Sequence, residues 1–525
     1  MDIFLRIFLI LLSISGLTLG FTCFSGWTAL ISEIIGWMSI AFAFKEWFFH
    51  IEKEEIKKFT IMAILFFGII FIYTSCRLAK DALVMATVAG AEGMSTAKVL
   101  VWPFTIIYGM WYAGITRSVQ QKNLVYWAII PLVSYFIIFN FFLFGNVSIL
   151  PQATTINYLI QTLPFLKYFF VLFSIWPVAL YYVLAEQFAV TGVVVCLWQF
   201  INNYVFKNER KRFIPALMIV AQVASLLSGF IAENSEKVAK SNLGAYVHIF
   251  TIMMIIATII LFINNYYFFY TFGDSPIENL EKNKNELFTE AKIENKVDKP
   301  QLNTWSMIKE HPEYLFVGLL TIVYGICTVF LEQFWKDKVK LYFGADGYRS
   351  YMGTNMQMQS RFALILTMVG SNLLMRLAPW WFTASLTPMI VFFSCLGVFG
   401  SVALSAFRFG GFDPLFIACV VGSIGVIALK ALKYAAFDPS KEAYIQVQGP
   451  ESAREIKLFE GYIARIGKAA GALVPVFLIN VLGIEYKFMS MCYILWILCS
   501  LSAFIWLYSV YVLNNSLTEK QKNNI

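Results

Sequence analysis

Lys80, Glu186, Glu332 and Lys468 each stand inside or at the end of a long apolar run, where a charge is hardest to place. A charge buried in hydrocarbon costs at least about 2.5–3.5 kcal/mol, so an ionisable side chain held there marks a functional site by default. Arg77, Lys336, Lys441 and Arg465 accompany them as possible accessory cations. Several Lys and Arg side chains together can offset the dehydration of a polyanion, and phosphate oxygens match them best. Blander readings stand beside this one. Lys80 and Lys336 could snorkel to the interface, and Glu332 could pair only with Lys336, four residues along the same helix. Glu186 has no such exit, because no basic residue lies within one turn and its partner must come from another helix or from a water-filled cavity.

Other chemistries find no support. His50, His248 and His311 are isolated, and the eight cysteines fall in apolar runs with no CxxC spacing, so neither a metal nor any other cofactor is expected. Gly461 to Lys468 reads GYIARIGK, superficially a phosphate-binding loop, but its glycines are one residue too far apart and Ala469 replaces the Ser or Thr that would hold magnesium. A membrane-embedded transferase would need clustered acid–base groups, and none is visible.

The elements that must position these charges are membrane helices. Of the 525 residues 59% are apolar and 14% charged, which excludes a soluble enzyme and a disordered chain. The net charge of +8 is too thinly spread for nucleic acid. Twelve apolar runs of spanning length lie near 59–79, 95–115, 124–145, 177–202, 213–232, 246–270, 314–335, 358–378, 381–405, 413–436, 459–482 and 487–513. The run from Phe165 to Val205 is too long for one span and is expected to break at Pro177. This division predicts an accessory hydrophobic region at 1–50, six-helix bundles at 51–272 and 313–513, a polar linker at 273–312 and a tail at 514–525. Basic residues gather in the loop Lys207 to Arg212 and in the linker, which points to cytoplasmic termini. The halves also echo each other. Lys80–Asp81 followed by Gly90-Ala91-Glu92-Gly93 returns as Lys336–Asp337 followed by Gly344-Ala345-Asp346-Gly347, as in transporters built from repeats.

The segments CRLAKDALV (76–84), YYVLAEQF (181–188), LEQFWKDKVK (331–340), FDPSKEAYI (437–445) and ARIGKAAGAL (464–473), in this order, resemble the ATP/ADP translocases, the nucleotide transporters of plastids and obligate intracellular bacteria. The resemblance implies an all-α, major-facilitator-like bundle of six plus six helices in a bacterial inner membrane. It further implies exchange of ATP for ADP by alternating access, with Lys80, Glu186, Glu332 and Lys468 at the substrate. The partners implied are a nucleotide and the lipid bilayer, with no protein partner. The chain departs from the family pattern after Glu442, between Arg454 and Tyr462, and at Ala469, leaving open proton-coupled carriage or a different cargo such as GTP, CTP, UTP, NAD or another organic anion.

Overall fold

The structure, a computed structural model, describes residues 27–43, 51–189, 204–239, 242–273, 313–367, 378–403, 413–448 and 469–523, with isolated positions between them. Its regular structure is helical, with no strand among the described residues. That follows from the solvent: in lipid each backbone N–H and C=O must be satisfied within its own segment. Among the described residues eight helices are long and apolar enough to cross a bilayer, or nine when one bent pair counts as a single span.

The first half holds α1 (Trp27–Ala43), α2 (Ile56–Ala86), α3 (Gly90–Ser118), α4 (Gln121–Ile138), α5 (Ala153–Thr162), α6 (Lys167–Ser174), α7 (Trp176–Phe188), α8 (Lys207–Ala239) and α9 (Leu243–Phe272). The second half holds α10 (Glu313–Ile365), α11 (Trp380–Ala403), α12 (Pro414–Leu432), α13 (Asp438–Val447), α14 (Ala469–Asn480) and α15 (Met489–Asn523). At about 1.5 Å per residue α10 is far too long for one span. It is two helices meeting at Gly344, whose φ of 71° is left-handed. Gly90, between α2 and α3, has φ 55°. The glycine that opens each echoed motif therefore breaks the chain between consecutive helices, in a conformation only glycine adopts without cost.

The expected break at Pro177 moves two residues. The chain bends by 88° between α6 and α7 at Ile175 (φ −120°, ψ 37°), and Pro177 sits in the first turn of α7. A proline there forfeits no helical hydrogen bond, because first-turn N–H groups have no intrahelical acceptor.

The two halves join at one end of the bundle, around Gly90, Lys167, Gly344 and the loop 481–488, and again midway, where α8 packs on α10. Val84, Met85, Met94, Tyr168 and Leu172 of the first half share one apolar core with Phe330, Phe334, Tyr486 and Trp506 of the second. Opposite this joined end, Lys58 bonds Glu209 at 2.6 Å, and Arg212 bonds Glu52 and Glu55 at 2.9 and 2.6 Å, tying the start of α2 to the start of α8. Midway, α8 crosses the second part of α10 backbone to backbone. A Cβ on Gly229 would stand 2.9 Å from the Gly353 carbonyl oxygen and the Gln357 nitrogen, so no larger residue fits. Against this crossing lies α1, whose Glu33 is held by Arg361 of α10 through Nε (2.7 Å) and Nη2 (2.8 Å). Residues 1–26 and the linker 274–312 lie outside the described residues.

Candidate functional site

Arg77, Lys80 and Asp81 occupy one face of the last three turns of α2, and Glu332 and Lys336 occupy one face of α10 before its break. These faces are apposed between the halves. Lys80 Nζ lies 2.7 Å from Asp81 Oδ1 and 2.9 Å from Glu186 Oε1 of α7, with the Tyr182 ring centroid 3.9 Å away. Lys336 Nζ lies 2.7 Å from Asp81 Oδ2 and 2.8 Å from Glu332 Oε1. Glu332 Oε1 also accepts from Arg77 Nη2 at 2.7 Å and from Lys430 Nζ of α12 at 3.3 Å. Lys80 and Lys336 are 3% and 2% exposed, which removes the snorkelling reading for both. Glu332 is likewise not confined to its neighbour on the helix.

Lys98 of α3 stands within electrostatic reach of Glu332, Lys336, Glu186 and Lys80. Among the described residues it forms no hydrogen bond and no ion pair. Among the described residues the cluster thus sets Arg77, Lys80, Lys98, Lys336 and Lys430 against Asp81, Glu186 and Glu332, a formal excess of two positive charges. Buried ions of one sign with incomplete counterions are unfavourable unless an anion completes them. The Tyr348 hydroxyl, buried and without a hydrogen-bond partner, is in electrostatic contact with Asp81 and Glu332. Arg77, Asp81, Glu332, Lys336 and Lys430 form one wall of a narrow cleft whose other wall is the second part of α10.

Of the sequence-derived site residues, the structure brings together Lys80, Glu186, Glu332, Arg77 and Lys336. Lys468 and Arg465 lie outside the described residues. Lys441 does not join the cluster: it lies in α13, 3.7 Å from Asp438 Oδ1 and over the Phe437 ring. Lys98 and Lys430 are additions that the sequence does not single out, and Asp81, legible there as the neighbour of Lys80 in the echoed motif, joins the cluster as a counterion.

On the joined-end side of the cluster, the halves are hydrogen-bonded across their seam. Tyr486 accepts or donates at its hydroxyl with Ser95 (2.9 Å), donates to Gln333 Oε1 (3.0 Å), and its N–H donates to Glu92 Oε1 (3.1 Å). Lys167 Nζ and the Tyr168 hydroxyl both donate to Glu485 Oε1 at 2.8 Å. Burial would raise the Glu485 carboxyl, but hydrogen bonds from Lys167, Lys487 and Tyr168 outweigh it and hold the group down at about 2. This end is sealed by packing, by a neutral network and by an ion pair.

Comparison with known proteins adds the lineage. The family model described as TLC ATP/ADP transporter matches residues 38–517. A protein of Rickettsia bellii (strain RML369-C) named ADP,ATP carrier protein 4 is 29% identical, over 91% of this chain and 94% of its own length. ADP,ATP carrier protein 1 of Chlamydia muridarum (strain MoPn / Nigg) is 28% identical, over 82% of this chain and 84% of its own. Among solved structures, a bacterial homologue of the iron transporter ferroportin in its inward-facing state superposes with a TM-score of 0.55 at 12% identity, covering 86% of this chain and 98% of that one. A POT family transporter in complex with a thioalcohol-conjugated peptide gives a TM-score of 0.51 at 11% identity, covering 87% and 96%. These structures share the transporter fold.

Proposed function

Because this chain belongs to the TLC ATP/ADP transporter family, we propose that it exchanges ATP for ADP across a membrane, and that the charge cluster between its halves receives the phosphates. It is a secondary transporter, not an enzyme. The observation that carries the assignment of the site is the cation excess at the seam, with Lys98 unpaired and Glu332 shared by Arg77, Lys336 and Lys430.

The mechanism follows from charge accounting in a poorly solvated site. In the structure Glu186 holds Lys80, and Glu332 holds Arg77 and Lys336. An entering polyphosphate competes with those carboxylates for the same cations, and the displaced acids loosen contacts that join α2 to α7 and α2 to α10. Cargo binding is thereby coupled to the relation between the halves, as a ligand with different affinities for two conformations shifts their populations. Loss of cargo without replacement would leave buried cations undercompensated during the transition, which favours exchange over one-way release. Lys468, which the family resemblance places at the substrate, is expected to contribute a further cation from the second half.

Orientation belongs to the same proposal. The basic start of α8, Lys207 to Arg212, and residues Lys57 and Lys58 lie at the end opposite the joined one, with Phe272 and Glu313, and this gathering of basic residues supports a cytoplasmic position for that end, in a bacterial inner membrane. Uptake of a panel of labelled nucleotides by cells expressing the chain tests the assignment. Exchange predicts ATP and ADP uptake that survives an uncoupler; uptake that collapses with the proton gradient, or none of either nucleotide, would overturn it.

A further inference from the structure

The cleft has a second wall of different chemistry. Met352, Asn355, Met356 and Gln359 all line it, spaced i, i+3, i+4 and i+7 on the second part of α10, so one helix face presents two thioethers and two carboxamides. The neighbouring face of that helix is committed elsewhere, with Gly353 against α8 and Gln357 bonded to Glu233 at 2.6 Å. Asn355 is only 7% exposed, and among the described residues neither its carboxamide nor that of Gln359 has a hydrogen-bond partner. A polar group that deeply placed is normally paired. Both unpaired amides face the cleft whose other wall carries Arg77, Glu332 and Lys430.

We infer that the Asn355–Gln359 face of α10 is the nucleobase subsite and selects a 6-aminopurine over a 6-oxopurine; this rests on the nucleotide-carrier reading above. A carboxamide offers one donor and one acceptor side by side. On its N7 edge adenine presents their complement, a ring nitrogen (N7) that accepts and a 6-amino group that donates. Guanine presents acceptors at both places, so the carboxamide carbonyl would face an oxygen and one buried group would stay unpaired. Met352 and Met356 supply polarisable, adaptable surface against the base. The geometry also separates the tasks: phosphates meet the cations of α2, α10 and α12, while the base meets the neutral stripe about two to four turns beyond the Gly344 break.

The test is competition in vesicles reconstituted with the full chain and loaded with ADP. Labelled ATP uptake is challenged with unlabelled ATP, GTP and inorganic triphosphate, for the wild type and for Asn355→Ala, Gln359→Ala and the double variant. The expected result is a fall of at least about fivefold in the preference for ATP over GTP, the loss of one base-specific pair, with competition by triphosphate unchanged. A merely structural role would weaken all three competitors together and leave the ratio intact, which would overturn the inference while sparing the carrier assignment. Absence of any nucleotide uptake by the wild type would overturn both. Should the alanine variants fail to reach the membrane, Asn355→Ser and Gln359→Met serve the same measurement.

Discussion

Lys80 and Lys336, the echoed lysines of the two halves, converge on one carboxylate: each Nζ lies 2.7 Å from a different oxygen of Asp81. A repeat that is recognisable as sequence becomes, in the fold, a single three-charge bridge across the seam, with Asp81 as the shared counterion. The echoed partner Asp337 does not mirror this. It bonds Lys338, which also donates to the Tyr486 carbonyl at the joined end.

Asp81→Asn should therefore be more damaging than the loss of either peripheral acid. Removing one member of a buried ionic group leaves the others uncompensated and typically costs about 3–5 kcal/mol. The expected outcome is a lowered melting temperature in detergent together with loss of exchange. A variant as stable and active as the wild type would remove Asp81 from its bridging place.

Lys98→Met should do the opposite to stability. Among the described residues Lys98 has no ion-pair partner to strand, so insertion and melting temperature should hold or rise. The KM for nucleotide should increase by about tenfold, the loss of one charge-assisted contact. Concentration-dependent uptake rates read this directly; an unchanged KM would show that the phosphates do not reach α3.

Glu33 and Arg361 predict that α1 is part of the carrier's packing. Glu33→Gln should destabilise the protein by a few kcal/mol, because the Arg361 guanidinium loses a buried two-point partner. The exchanged pair Glu33→Arg with Arg361→Glu should recover part of that loss. No destabilisation in the single variant would reduce α1 to an appendage.

The seal at the joined end should be insensitive to pH across the physiological range. With its folded value held at about 2, below the usual carboxylate value, Glu485 contributes stability that is fully present above about pH 4.5 and is lost as pH falls toward 2. Access of a thiol reagent to a cysteine placed at Ile484 should stay flat from pH 5 to 8 and rise only under stronger acid. Lys167→Ala should raise access at neutral pH, and a midpoint near neutrality in the wild type would assign the seal to another group.

The sequence revealed what lipid makes expensive. Arg77, Lys80, Glu186, Glu332 and Lys336 stand out because charge in an apolar run has a large cost, and they do assemble. Lys98 and Lys430 are close to helix ends, where a lysine reads as interfacial, and only the rotation of α3 and α12 turns them inward. Asn355 and Gln359 are uncharged and carry no such signal. The partner of Glu33 lies 328 residues away, beyond any local pattern. Lys441 entered through its motif alone, and its place beside Asp438 suggests a packing role for that segment. The bend before α7 was legible as a broken run, but its position was not, since a proline is as welcome in a first turn as it is disruptive in a helix interior.

The central claim is that nucleotide phosphates displace carboxylates from the cations at the seam, so that cargo must be exchanged. Labelled ATP uptake into ADP-loaded and empty vesicles, for the wild type and for Lys80→Ala, tests it most directly. The account predicts rapid uptake only in loaded vesicles with the wild type, and almost none in either case with Lys80→Ala at equal protein abundance. Equal uptake into empty vesicles, or undiminished exchange by Lys80→Ala, would contradict it.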